Sequence, residues 1–499
     1  MKNKHYIISQ KELKIEDIKK IIDLDYKIKL SSSVEKNIIK SHDYLNKQIL
    51  ENKLIYGVNT GFGSLCNKKI DNKNLGSLQE NLIRSHAAGT GDIISHSISK
   101  IMLLLKIKSL SFGFSGISLQ CVKRLIYLFN NNIIPIVYSQ GSLGASGDLA
   151  PLAHLSLPLI GEGKVFCQNK VYNTSHIYKK KGIKKISLGA KEGLALLNGT
   201  QFMGAIGVYS LIKAENISIM ADLISSVSII SFNCHTSPYD EVLSKIKPFP
   251  GVIRTSYNIR KFIKGSNLEK SSKNHVQDPY SFRCIPQVHG ATKDVITHTK
   301  NIFSIDINSV SDNPSVFYKE NSILSGGNFH GQSLALAFDY LSMSLSELSN
   351  ISERRIFKLL SGERDLPPYL INDSGLNSGL MIAQYTAASI VSQNKQLCTP
   401  CSVDSIVSSN GQEDHVSMGA NAAIKTLKVI ENVEKVLAIE LFTASQAMCF
   451  SKNKLSKHTN DLLYDYRQVV KPIEKDTVLS DLIDLSFDFV SRINFIKSV

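Results

Sequence analysis

A chain of 499 residues can bury a large core and has room for two to four domains, and 43% hydrophobic against 20% charged residues excludes wholesale disorder. The formal net charge of +15 raises nucleic acid as a partner, but the lysines are scattered. The one dense run, YKKKGIKKIS from Tyr178 to Ser187, has no interleaved aromatics and reads as a solvated loop, so no nucleic-acid partner is expected.

From the N-terminus, charges interrupt MKNKHYIISQKELKIEDIKK throughout, so no signal-peptide core is present. Lys106 and Lys108 break IMLLLKIKSL, and Asp222 sits inside ISIMADLISSVSIISF, so no membrane span is expected and the assignment is cytoplasmic. Through the first two hundred residues, glycine-rich pieces (YGVNTGFG, SHAAGTGD, SFGFSG, QGSLGASGD) alternate with short helical patterns, as in a domain built to present loops. A boundary is placed near residue 200, giving an N-terminal domain over 1–200 and a long-helix bundle over 201–499.

Three long segments of that second part lack glycine and proline: Val208 to Asn233, Gln332 to Ser361, and Ala420 to Lys471. In the last, Ile424, Leu427, Ile430, Val433, Leu437 and Leu441 recur at helical spacing, with Lys428, Glu431 and Lys435 on a charged face, predicting an amphipathic helix of many turns. The segment from Gln332 is apolar on nearly every side, predicting a helix buried all round, inside a bundle or between subunits. The fold class is mainly α. Cys398 and Cys401 form a lone CxxC, with neither a second pair for zinc nor a thioredoxin-like setting, so no metal or redox centre is expected.

The stretch GSLGASGDLAPLAHLSL places Ser146 between Ala145 and Gly147. A nucleophile elbow needs G-x-S-x-G, and here the second glycine comes one place early. A helix entry, with Ser146 or Asp148 capping LAPLAHLSL and Pro151 in the first turn, explains Asp148 and Pro151 but not why both neighbours of the serine lack bulk. A third reading uses that smallness. If the Gly147 amide nitrogen attacks the Ala145 carbonyl and two waters leave, a methylidene-imidazolone forms whose exocyclic carbon, once the serine side chain, is an electrophile.

These residues, with IYGVNTGFGSL, LQENLIRSHAAGTGD, EGLALLNGTQ, VQDPYSFRCIPQVHGA, SDNPSVF, LSGGNFHGQ and SSNGQEDHVSMG, resemble the aromatic amino-acid ammonia-lyase family over almost the whole chain. The resemblance implies the fumarase/aspartase-like superfamily architecture, a homotetramer with sites shared between subunits, and the methylidene-imidazolone (MIO) formed from Ala145, Ser146 and Gly147 as the prosthetic group, with no external cofactor. It also implies Tyr56 and Tyr280 as active-site tyrosines, with Tyr56 favoured as base. A phenol can serve if neighbouring positive potential or donors lower its pKa. Arg283 would take the substrate carboxylate. Asn198 would hold the ring oxygen or the substrate's amino-acid end, and Gln277 and Phe329 match pocket positions. His86 would face the substrate ring. Glu413, whose carboxylate suits an imidazole and not a phenyl ring, would select histidine. The expected reaction takes L-histidine to trans-urocanate and ammonia, the first step of histidine degradation; a tyrosine or phenylalanine ammonia-lyase or an aminomutase is the alternative. Departures are small: Lys247, Pro248 and Phe249 stand where the histidine branch commonly has arginine, proline and histidine.

Overall fold

The segments free of glycine and proline contribute to the long helices of the chain, whose computed structural model describes residues 4–51 and 53–492. These helices are Gln201–Ser231, which takes in Gly204 and Gly207 ahead of its glycine-free run, Gln332–Leu359, and Gly419–Ala447; a fourth long helix, Ile285–Asp306, carries its proline in the first turn, where the missing N–H is not needed. Strands are short and paired in small sheets, so the fold is mainly α. Among the described residues no helix is long and apolar enough to cross a membrane.

The chain divides into two compact units. The first takes the chain up to Tyr209, together with Asn301–Phe338 and Pro400–Ile424. The second takes Ser210–Lys300, Asp339–Thr399 and the chain from Lys425 onward. The first unit thus contains the glycine-rich pieces read as loops, and it gains two later segments that the linear reading placed with the bundle.

In the first unit the helix His96–Ser111 is buried from Ile98 to its end, three lysines included. Lys108 donates to the carbonyls of Ser9 (2.9 Å) and Lys11 (2.8 Å), and Lys100 pairs with Asp25 at 2.6 Å. These lysines, which interrupt the apolar run, are interior ties to backbone and carboxylate. Around the helix lie a parallel pair (His5–Ile8 with Lys27–Leu30) and an antiparallel three-stranded sheet, Ile134–Pro135, Lys164–Cys167 and Lys170–Asn173.

The second unit is held by buried charge as well as apolar packing. Arg355 meets Glu440 two-pronged, Nε to Oε1 at 2.6 Å and Nη2 to Oε2 at 2.8 Å, and Ser228 and Ser352 donate to the same carboxylate at 2.7 and 2.6 Å. Both charged side chains are fully buried. Asp222, the acid inside the apolar ISIMADLISS run, accepts from His289, Lys293 and Asn258.

One expectation is corrected. The Gln332–Leu359 helix is not buried all round in one chain: Leu336 (54%), Tyr340 (46%) and Met343 (41%) leave an exposed stripe at three- and four-residue steps, and Phe357 (46%) lies further along the same face. The amphipathic helix read from Ile424 to Leu441 forms. It stops at Ala447, where Arg467 donates through Nη2 to the Ser445 carbonyl (2.6 Å), and restarts at Lys457 under Ser456, whose Oγ accepts from Thr459 N at 3.2 Å. Lack of glycine and proline permits a helix, but side-chain caps decide where it ends.

The Arg355–Glu440 pair makes a testable difference. Glu440→Gln leaves a buried guanidinium without its counter-charge and is expected to destabilise the protein by about 3–5 kcal/mol, whereas removing the exposed Lys428–Glu431 pair changes stability by about 0.5 kcal/mol or less. Denaturation midpoints of the two variants measure this; equal midpoints would show that the buried pair is energetically idle.

Candidate active site

Ser146 sits in a loop bent back on itself between the strand Tyr138–Gln140 and the helix Leu149–Ser156. Gly141, Gly144 and Gly147 all have positive φ (134°, 65° and 74°), the region that favours glycine. Ser142 ties the two ends of the bend: its Oγ accepts from Gly144 N at 3.1 Å and lies 3.1 Å from Asp148 Oδ1, to which it donates. Gly147 bridges to Gly199 in a short parallel pairing, and Asp148 N donates to the Gly199 carbonyl at 2.8 Å. A side chain on Gly147 would strike that carbonyl.

Asn198 completes the backing of the loop. Its Nδ2 donates to the Ser146 carbonyl at 2.6 Å, and its Oδ1 accepts from Asn313 N at 2.7 Å, which fixes which way the amide faces. Asp148 occupies the N-cap position of Leu149–Ser156 but makes no side-chain cap there. Its Oδ2 instead accepts from Phe202 N (3.1 Å) and Met203 N (3.0 Å), capping Gln201–Ser231. The cap predicted from LAPLAHLSL therefore serves a different helix. Complete burial pushes the Asp148 carboxyl up to about 7 against the pull of those donors.

Four helices begin around this loop. Leu149–Ser156 follows it directly, and Gln201–Ser231 is capped by Asp148. The Gly144 carbonyl accepts from Gly331 N (3.4 Å), just before Gln332–Leu359, and from Ser417 Oγ (2.9 Å), which in turn accepts from Gly419 N (3.2 Å) at the start of Gly419–Ala447. Helix N-termini carry partial positive charge, so the loop sits in positive potential that favours an electron-poor group there.

In front of the loop lies a cavity of about 830 Å³. Ala145, Ser146, Tyr56, His86, Asn198, Phe329 and Glu413 all line it. Seven of the eleven residues singled out from the sequence are thereby brought together; Gly147 lies buried behind Ser146. Ser146 Oγ donates to Glu413 Oε1 at 2.7 Å, and Ser408 Oγ donates to Glu413 Oε2 at 2.7 Å. His86 places Nδ1 2.9 Å from the Leu82 carbonyl, so Nδ1 carries the proton in the neutral ring. Burial lowers its pKa, with the hydrogen bond to Leu82 and the charge of Glu413 acting the other way.

Tyr56 departs from expectation. Its phenol oxygen accepts from Gly63 N at 3.1 Å, but burial outweighs that donor, and Cys66 and Glu413 add to the same effect, so its pKa is raised.

Gln277, Tyr280 and Arg283 belong to the second unit and are not among the residues lining the cavity. Tyr280 and Arg283 stand on one helical turn, as their spacing predicted, with the guanidinium 4.3 Å from the Tyr280 ring centroid. The turn is pinned from beneath. Arg355 Nη1 donates to the Ser281 carbonyl at 3.3 Å, Tyr239 Oη to the Phe282 carbonyl at 2.9 Å, and Phe282 stacks on Phe232. Tyr280 is 69% exposed and Gln277 is exposed; Arg283 Nε is buried without a hydrogen-bond partner.

Sequence reasoning did not single out Asn313, Ser142 and Ser408, which orient Asn198, the loop and Glu413. Asn313 lies in SDNPSVF, a motif flagged as a whole, and nothing local marks the two serines. Among the described residues no cluster of three histidine, cysteine, aspartate or glutamate side chains could hold a metal ion. The eight cysteines form no disulfide, and Cys398 donates to the Ser342 carbonyl at 3.7 Å, its thiol pushed up by burial.

Known proteins share this arrangement of chain. The family model for aromatic amino acid lyases matches residues 13–468. A histidine ammonia-lyase of Caldanaerobacter subterraneus subsp. tengcongensis is 43% identical over 490 residues, 98% of this chain and 96% of that protein. The crystal structure of histidine ammonia-lyase from Trypanosoma cruzi superposes with a TM-score of 0.90 at 35% identity, covering 97% of this chain and 93% of that one. Tyrosine aminomutase from Streptomyces globisporus superposes with a TM-score of 0.93 at 31% identity, over 98% and 97% of the two chains. A match across nine-tenths of the sequence, on a fold and a glycine-bent loop of this kind, makes the chain a member of the aromatic amino acid lyase family.

Proposed function

We propose that the chain eliminates ammonia from L-histidine to give trans-urocanate. The observation that carries this reading is the Glu413 carboxylate, 2.7 Å from Ser146 Oγ on the wall of the cavity. A carboxylate there can bind or exchange a proton with an imidazole, and it would sit badly against a phenyl or phenol ring.

Abstracting a weakly acidic β-hydrogen and expelling an amine is difficult for side-chain acids and bases alone. The tripeptide Ala145-Ser146-Gly147 fits a methylidene-imidazolone: Gly147 is left-handed, the Gly199 backbone fills the space a Cβ would need, and Ser142 holds the bend. That ring supplies an electrophilic carbon that turns the substrate's amine into a leaving group. Asn198, already donating to the Ser146 carbonyl, stabilises negative charge that develops on that oxygen. His86, neutral with its proton on Nδ1, lines the cavity where the imidazole binds, and Phe329 supplies apolar wall.

Tyr56 takes the β-proton. Gln277, Tyr280 and Arg283 act from another copy of the chain in a homotetramer. An exposed Tyr280 supports that reading, as does the solvent-facing stripe of Leu336, Tyr340, Met343 and Phe357. The planar fork of the Arg283 guanidinium suits a substrate carboxylate.

The direct test offers purified protein L-histidine, L-tyrosine and L-phenylalanine separately and follows the conjugated acrylate by absorbance. Histidine is expected to be turned over preferentially; preferential turnover of tyrosine would overturn the role of Glu413 and favour a tyrosine lyase or aminomutase. Glu413→Gln is expected to lower kcat/KM for histidine by about 100-fold or more while leaving the assembly intact by size-exclusion chromatography. An unchanged rate would mean that another residue reads the imidazole.

The raised pKa of Tyr56 fixes the sign of a pH effect. A base acts in its deprotonated form, so below that pKa the competent fraction grows by about tenfold per pH unit. The ratio of wild-type kcat/KM to that of Tyr56→Phe is therefore expected to climb from pH 7 to pH 9. A wild-type profile that runs parallel to that of Tyr56→Phe over that range would remove Tyr56 as the base.

A further inference from the structure

Lys106 is a buried cation that the proposed chemistry does not use. It is 1% exposed, inside a helix turn made of Leu103, Leu104, Leu105 and Ile107. An ammonium so placed has lost most of its hydration, a cost usually offset by a paired carboxylate. Lys191 obeys that pattern, with Nζ 2.6 Å from Asp312 Oδ2. Lys106 does not: its Nζ donates to the Asn198 carbonyl at 2.8 Å and to Gln201 Oε1 at 3.2 Å, both neutral oxygens. A methionine would fill the same apolar space at far lower desolvation cost, so packing does not explain the charge.

What the charge touches does. Asn198 is the residue whose Nδ2 reaches the Ser146 carbonyl at 2.6 Å, and its own Oδ1 is held by Asn313 N. Lys106 fixes the same residue from the other side, at its main-chain carbonyl, and the next residue, Gly199, is the one against which Gly147 packs. One ammonium therefore restrains both the side-chain donor to Ser146 and the backbone platform under Gly147. Its partner Gln201 opens the Gln201–Ser231 helix and passes the restraint on through Nε2 to Ser311 Oγ at 2.9 Å. Burial lowers the Lys106 pKa to about 7, with Asp312 and Asp148 pulling it back up and Lys191 adding to the fall.

We propose that Lys106 is a positioning residue for the reaction: it aligns the Asn198 amide on the Ser146 carbonyl and adds positive potential behind that oxygen, so that negative charge developing there is stabilised. This rests on the ammonia-lyase reading above. Lys106 touches neither substrate nor reacting atoms and acts through Asn198.

The test compares full-length wild type with Lys106→Met, scoring ring content by its near-ultraviolet absorbance. Two quantities are then measured per ring: kcat and KM with L-histidine, and the rate at which borohydride bleaches the ring without substrate. The expected result is a fall in kcat of about 100-fold with KM changed less than about threefold, and bleaching slowed by about tenfold or more. If the Met variant is insoluble, Lys106→Gln, which keeps an N–H donor without the charge, is read in the same way. A soluble variant with wild-type kcat and bleaching rate, and only a lower melting temperature, would overturn the proposal and leave Lys106 a structural tie. Failure of the underlying reading looks different: a wild-type protein with no ring absorbance and no histidine turnover overturns both.

Discussion

Gly147 lies so close to the backbone of Gly199 that a methyl group on its Cα would collide with the Gly199 carbonyl. The contact joins residues 52 positions apart and needs a glycine with left-handed backbone at Gly147, and the site depends on it. It brings the Asn198 amide onto the Ser146 carbonyl, lets Asp148 N reach the Gly199 carbonyl, and carries Asp148 to the first amides of the Gln201–Ser231 helix. A larger residue at Gly147 would separate the loop from the segment that orients it, whereas one at Gly199 would strike the Gln201 and Ser311 side chains.

Electrostatics follow from the same placement. Helix N-termini surround the loop, and Asp148, a carboxylate buried beside it, is committed to capping one of them. Glu413 stands on the cavity side, where it answers Ser146 and Ser408. Asp148 and Glu413 are thus separated by place: one serves the scaffold and one lines the cavity. The positive potential beneath Ser146 suits an electrophile, and the carboxylate above it suits an imidazole.

Much of this was legible in the sequence because it is local. Small residues flanking Ser146, the Tyr280–Arg283 spacing and the glycine-free helical segments all carry their meaning within a few positions, and the structure keeps each. What escaped depends on partners far away in sequence. Asp148 looks like a cap for the helix it precedes, yet its acceptors face amides 54 and 55 residues on. Lys106 looks like a break in an apolar run until its ammonium is found on the carbonyl of Asn198, 92 residues later. Tyr56 was expected to sit among donors that lower its pKa, but how deeply a phenol is buried depends on the whole cavity wall. The helix end at Ala447 was equally hidden, since Arg467 caps it from the helix beyond the break.

The central claim is chemical: Ala145, Ser146 and Gly147 close into an electrophilic ring. Mass spectrometry of the proteolytic fragment spanning Tyr138 to Ser156, taken from protein purified without harsh treatment, tests it most directly. The account predicts a fragment lighter than its sequence by two waters, with the loss confined to the tripeptide. A fragment at its full unmodified mass, from protein that still turns over histidine, would contradict the account.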